Sequence, residues 1–374
     1  MLRFNAHTWA VLDQAGGKPQ GMIDHDDLFK TQLFAAGFTP PQRPADPPAS
    51  AAVEAAERTS RFWISTHVGA LRPGSDAHKR EVCRMFHETF NPYQPSVIAW
   101  PKLSPAMLQR ITSLPIWDVA VHTESRARLR FAVYANAVDD PQVQAAVMLN
   151  AWEESRHKEV LAKLVEAYGI PLASEPPFQQ PRDPEWAYLI TGYCECIDSF
   201  FAFGLFELAR RSGFFPAELV ETFEPVVQEE CRHILLFANL VAWHRANLPW
   251  WRRIYFELRV AAVWAVIAWE RIVLARSMDA KGDKARLDSS FTASTAGAVS
   301  PVEINVRDLM TICLKENDRR FSGYDSRLLR PTTVPALARF VLFVTRPWAR
   351  KKASSAEGEL GADTGHGREP PIPL

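Results

Sequence analysis

Two five-residue figures of one pattern, Glu153-Glu154-Ser155-Arg156-His157 and Glu229-Glu230-Cys231-Arg232-His233, lie in stretches that read as long helices. Residues three apart share a helix face, so Glu154 points with His157 and Glu230 with His233. A charge on a face that packs inward is costly unless it is paired or ligates a metal. A chain with two such modules must therefore bring two helices together around a polar centre. A carboxylate and an imidazole from each helix make half of a two-metal site; the other half is a lone carboxylate from each of two further helices. The chain offers these in order: Glu124 lies 30 residues before Glu154, and Glu195 lies 35 before Glu230.

The surrounding pattern is helical. Trp117, Glu124, Phe131 and Val138 recur every seven residues and predict a helix over about 116–137, with Glu124 inside an apolar stripe. Asp140-Pro141 supplies an N-cap and a first-turn proline for a second helix that closes near Gly169, whose stripe is Val147, Glu154, Leu161 and Tyr168. Asp183-Pro184 opens a third, ending near Gly213; a fourth runs to about Ala246, with Pro225 either kinking it or marking its start. A fifth is expected over 250–278, and others over 51–71, 76–90, 302–320 and 334–344. No strand-like alternation competes, so the fold class is all-α. The organisation expected is a proline-rich segment (1–50, with an extended linker at 39–50), accessory helices (51–115), a four-helix core (116–246), C-terminal helices on the core or a membrane surface (247–350), and a disordered tail (351–374).

Composition narrows the function. Lys plus Arg equals Asp plus Glu at 43 each, and no basic stripe is interleaved with aromatics, which argues against nucleic acid. The five cysteines are odd in number and lack Cys-x-x-Cys spacing, so neither a disulfide framework nor a zinc site is expected. With no secretory signal in residues 1–13, a reducing cytoplasm is the simplest location. The apolar run 260–269 is too short to span a bilayer and is flanked by Arg259, Glu270 and Arg271. Trp250-Trp251-Arg252-Arg253, and the run 340–344 followed by Arg346, Arg350, Lys351 and Lys352, keep peripheral contact with the inner membrane face open.

The order Glu, then Glu-x-x-His, repeated over residues 116–246, resembles the ferritin-like di-iron carboxylate superfamily. The resemblance implies a ferritin-like four-helix bundle and a metal-ligand set of Glu124, Glu154, His157, Glu195, Glu230 and His233. Asp198 shares the face of Glu195 and is the alternative ligand on that helix. Two divalent irons would balance the four carboxylates; manganese suits the same oxygen and nitrogen donors. The longer figure is similar to that of hydroxylase subunits of bacterial multicomponent monooxygenases and of the oxygen-dependent cyclase of chlorophyll synthesis. By that resemblance Glu153 and Glu229 orient His233 and His157 through their far nitrogens, Arg156 and Arg232 pair with those acids, and Ser199 is a hydroxyl beside the oxygen-binding face. The family more often has Asp where Glu153 and Glu229 stand.

Other residues carry less. His122 reads as a surface or satisfied histidine, His244 lies three turns beyond His233, and Glu207 sits two turns off the metal layer. Cys194, Cys196 and Cys231 read as packing groups. Phe200, Phe201, Phe203 and Phe237 suit either a dry pocket or ordinary core. Leu161 stands where a radical-storing reductase subunit has tyrosine, and Val226 where an arylamine oxygenase has an extra histidine.

The resemblance implies a di-iron oxidoreductase that uses dioxygen to hydroxylate, desaturate or cyclise a small, possibly lipid-like organic molecule. No dinucleotide or flavin fingerprint occurs, so electrons would come from an external donor, a ferredoxin or flavin reductase. A homo-oligomer is expected. The alternatives are a ferroxidase or iron-handling protein without organic substrate, and a non-catalytic helical protein whose Glu-x-x-His pairs are internal salt bridges.

Overall fold

The structure, a computed structural model, describes residues 24–41, 49–93, 100–114, 116–280 and 306–345, with side chains omitted over 274–280. Among these the regular structure is entirely helical: α1 (His25–Ala35), α2 (Ser50–Arg61), α3 (Asp76–Glu88), α4 (Pro105–Thr112), α5 (Trp117–Asn136), α6 (Pro141–Ala167), α7 (Pro184–Ser212), α8 (Ala217–Asn247), α9 (Trp250–Ala280), α10 (Val306–Phe321) and α11 (Thr333–Val344). The chain divides into two compact units, Met1–Pro331 and Thr332–Leu374; α11 is the described helix of the second.

The four long helices α5 to α8 begin and end where the sequence signals place them. Asp140 accepts from the amides of Gln142 and Val143 ahead of Pro141, and Asp183 accepts from the Trp186 amide ahead of Pro184. Gly213 closes α7 at φ 63°, a left-handed conformation that favours glycine. Pro225 lies inside α8 and does not start it.

Within the first unit α5 packs along α6 and against α7, α7 packs on α8, and α6 meets α8. Around these lie α3, against α6 and α8; α1, on α5; and α9 and α10, both on α7. The apolar core between them includes Phe86, Leu129, Phe131, Val147, Met148, Phe203, Leu235 and Phe237. Helix α7 is long and apolar enough to cross a membrane, with mean hydropathy 1.3 over its best window. It is also the element against which α5, α8, α9 and α10 pack, and a core helix passes the same test of length and composition.

Three expectations are corrected. The helix predicted over 51–71 ends at Arg61. Phe62, Trp63 and Ile64 favour extended backbone, and Trp63 makes a bridge to Tyr324 in which its amide donates to the Gly323 carbonyl and its carbonyl accepts from the Asp325 amide. The proline-rich segment 1–50 contains a helix, α1, capped by Asp24. Helix α4, capped by Ser104 with Pro105 in its first turn, adds to the accessory region 51–115 a helix beyond those expected at 51–71 and 76–90. The linker at 42–48, the loop 281–305, the basic residues 346–352 and the tail 351–374 lie outside the described residues.

Candidate metal centre

Helices α6 and α8 bring the two repeated figures face to face. His157 and His233 stack with ring centroids 5.4 Å apart at 28°. Glu154, His157, Glu230 and His233 each offer a donor atom within 4.8 Å of the others, a group that could hold a metal ion. His157 Nδ1 lies 3.1 Å from Glu230 Oε1, 3.6 Å from Glu154 Oε2 and 3.9 Å from Glu124 Oε2. His233 Nδ1 lies 2.8 Å from Glu154 Oε1 and 3.9 Å from Glu230 Oε1. Helix α5 delivers Glu124 to this group.

The far nitrogens are tied across the helix pair. His157 Nε2 donates to Glu229 Oε2 at 2.8 Å, and His233 Nε2 donates to Glu153 Oε2 at 2.8 Å. A carboxylate at such a pair accepts, so each Nε2 carries the proton and each Nδ1 is turned to the centre. The longer Glu reaches where the related pattern more often has Asp. The guanidiniums also cross over: Arg232 donates to Glu153 at 2.6 Å, and Arg156 stands 3.8 Å from Glu229. Each figure thus supplies the acid for the other's histidine and the arginine for the other's acid.

Sequence reasoning missed what holds the arginines. The C-terminal end of α3 and the residues after it present the Phe86 carbonyl (2.6 Å) and Thr89 Oγ1 (2.8 Å) to Arg232, and the Asn91 carbonyl (2.9 Å) to Arg156. The outward carbonyls and negative dipole of a helix C-terminus suit a buried cation. The rings of Phe86 and Phe90 lie 4.6 and 5.0 Å from the Arg232 and Arg156 guanidinium carbons. A Phe-x-x-Thr-Phe run after an amphipathic helix has no distinctive sequence signature; only tertiary contact identifies it.

Burial and charge set the protonation of the group. Burial, the Glu154 charge and hydrogen bond, and the Glu230 charge hold the Glu124 carboxyl well above its ordinary range. Burial and the charges of Glu154, Glu230 and Glu124 do the same to Glu195. Burial pushes Glu154 up, but the His233 charge and hydrogen bonds from both histidines outweigh it and leave Glu154 well below. Burial pushes His233 down, but the Glu154 charge and the bonds to Glu153 and Glu154 carry it up to about 10; His157 is raised in the same way.

The donor set fits divalent cations. With all six carboxylates (Glu124, Glu153, Glu154, Glu195, Glu229, Glu230) ionised and both imidazoles neutral, as bound cations would require, the two guanidiniums leave four negative charges for those cations to balance. Both oxygens of Glu195 are buried without a hydrogen-bond partner. Such orphaned atoms are rare in a folded interior and mark either a ligand position or an unmet cost.

On α7 the structure distinguishes two neighbours. Asp198 accepts from Arg271 at 2.8 and 3.0 Å, whereas Glu195 is buried where the charges of Glu154, Glu230 and Glu124 act on it, outside the four residues whose donor atoms lie within 4.8 Å of one another. Ser199 is buried one turn on, and its hydroxyl donates to Glu230 Oε2 at 3.4 Å. Glu207 is engaged by Arg210 and Arg211, and His244 by Glu185. Phe203 packs under Arg320 and Phe237 against Tyr188 and Tyr193, as core residues do. All five cysteines are free thiols, and burial pushes Cys194 and Cys231 up to about 12. No protein-family model, curated protein or solved structure matches this chain.

Proposed function

We propose that the chain is a ferritin-like, two-metal carboxylate oxidoreductase, with helices α5 to α8 as the bundle around the metals. One observation carries this reading: two histidines from different helices turn Nδ1 to a common point while their Nε2 atoms are locked by acids from the opposite helix. A plain internal salt bridge needs no such orientation, and a metal ligand does.

Glu124, Glu154, Glu195, Glu230, His157 and His233 would hold the pair, iron in preference and manganese as the alternative. Bound there, the metals would supply redox chemistry toward dioxygen and an organic substrate, with electrons from an external ferredoxin or flavin reductase. The chain's own groups do the rest. With metal bound, Glu153 and Glu229 would keep each imidazole in the tautomer that leaves Nδ1 free to ligate. Glu153 is held down to about 2 against burial by the Arg232 charge and the His233 bond, and Arg156 stands 3.8 Å from Glu229. Ser199 holds its hydroxyl proton on Glu230 Oε2, which orients that carboxylate. Glu124 and Glu230 have side chains 23% and 18% exposed, against 2% for Glu154, so the centre lies nearest solvent on their side.

Metal content after anaerobic loading with ferrous iron tests the reading. About two irons per chain are expected in the parent and near none in Glu154→Ala/His233→Ala, followed by oxygen uptake from the loaded parent. No metal in either protein would leave the figures as helix-face salt bridges. Metal binding with oxygen uptake spent wholly on ferric oxide would move the assignment to iron handling.

A further inference from the structure

Helix α9 buries one face against α7 and α8, through Phe256, Val260, Val263 and Ile267. Its opposite face carries Trp251, Ile254, Leu258, Ala261, Ala262, Ala265, Trp269 and Ile272, all exposed. At about 100° per residue these eight lie within about 50° of one line along the helix. Trp250, Tyr255 and Ala268, also exposed, widen the stripe; no charged residue stands in it, and the Arg252 and Arg259 guanidiniums lie over the rings of Trp251 and Tyr255 at 5.0 and 5.7 Å.

The exposed positions are symmetric about a point between Ala261 and Ala262, so that in an antiparallel pair Leu258 would face Ala265 of the copy, Ile254 would face Trp269, and Trp251 would face Ile272. We infer that this face of α9 is the contact surface of a two-fold dimer of the chain, in which the helix packs antiparallel on its copy about Ala261 and Ala262. A two-fold interface must be complementary to itself, and this order of side chains meets that requirement. Small residues at the centre let two backbones approach. Packed helices cross at an angle and diverge away from the crossing, where the large Trp and Ile side chains fill the widening gap.

Size agrees. Trp250, Trp251, Tyr255 and Trp269 are 76%, 55%, 61% and 50% exposed. At roughly 150–250 Å² per aromatic side chain, and with the aliphatic residues added, the stripe offers on the order of 600 Å² per copy. Two copies bury about 1,200 Å², above the roughly 1,000 Å² that a specific interface needs. A lipid surface is the less suitable occupant: it gains little from three alanines at the centre of the face, and acids (Glu257, Glu270) as well as arginines flank it.

Light scattering of the full chain at micromolar concentration tests the inference, with Leu258→Glu beside the parent. A dimeric parent and a monomeric variant of unchanged helix content are expected; the position is 65% exposed, so the variant should fold. Register is read by oxidative cross-linking: Leu258→Cys mixed with Ala265→Cys should link, and neither should link alone. Of the native cysteines four are buried and Cys194 is half-buried. A monomeric parent, a dimer that survives Leu258→Glu, or linking of Leu258→Cys to itself would each overturn the proposal. A monomeric parent that binds phosphatidylserine vesicles, with binding lost in Leu258→Glu, would assign the face to lipid.

Discussion

Arg232 is fully buried and spends its donors on Glu153, Thr89 Oγ1 and the Phe86 carbonyl. Removing one partner of a buried pair leaves the other charge uncompensated, which is far costlier than the pair is stabilising. Glu153→Ala is therefore expected to destabilise the metal-free protein by about 3–5 kcal/mol in urea unfolding. Glu229→Ala should cost clearly less, because Arg156 stands 3.8 Å away and keeps the Asn91 carbonyl. Equal losses would mean that the two crossed acids are equivalent supports, contrary to their geometry. Legibility differs between these residues too. The crossing of acids and histidines follows from a repeated figure once two helices face each other, whereas Thr89 and the Phe86 carbonyl are a backbone coincidence with no pattern to read.

Helix α10 docks on α7 at Gly204, where an added Cβ would fall 2.3 Å from Cys313 Sγ and 3.0 Å from its backbone. Gly204→Ala must push the helices apart, and overpacking of this kind costs about 1–3 kcal/mol. Thermal unfolding should show the loss, and a Cys313→Ala background should restore only part of it, because the Cys313 backbone is also within reach. Helix α1 is strapped to α5 and α6 by Asp26, whose carboxylate accepts from Arg128 and, at 3.0 Å, from Lys158. Burial pushes Asp26 up, but the bonds and charges of Arg128 and Lys158 outweigh it and hold it at about 2. Its folded value lies below its unfolded one, so the contribution is full above about pH 4 and is lost as pH falls toward 2. Denaturation midpoints should accordingly drop between pH 5 and pH 2.5 by more in the parent than in Asp26→Asn; equal drops would show that the strap does not hold α1.

For the whole molecule, a cation that binds the folded chain alone must stabilise it. At a free ion concentration 100 times the dissociation constant the gain is about 2.7 kcal/mol. Anaerobic ferrous or manganous ion is expected to raise the melting temperature of the parent and leave Glu154→Ala unmoved. A shift of equal size in both would place binding elsewhere.

The sequence by itself determined that the chain is helical, where its four long helices start, and which carboxylates and imidazoles share a face. These follow from capping residues, prolines and a 3.6-residue period, all local. Tertiary structure decided the rest. It paired Asp198 with Arg271 and left both oxygens of Glu195 buried without a hydrogen-bond partner, a difference that spacing along α7 does not show because both lie on one face. It ended α2 at Arg61 by giving the Trp63 backbone to residues 323 and 325, more than 250 positions away. It brought the end of α3 onto the two arginines, since a buried charge takes its partners from whatever backbone packs beside it.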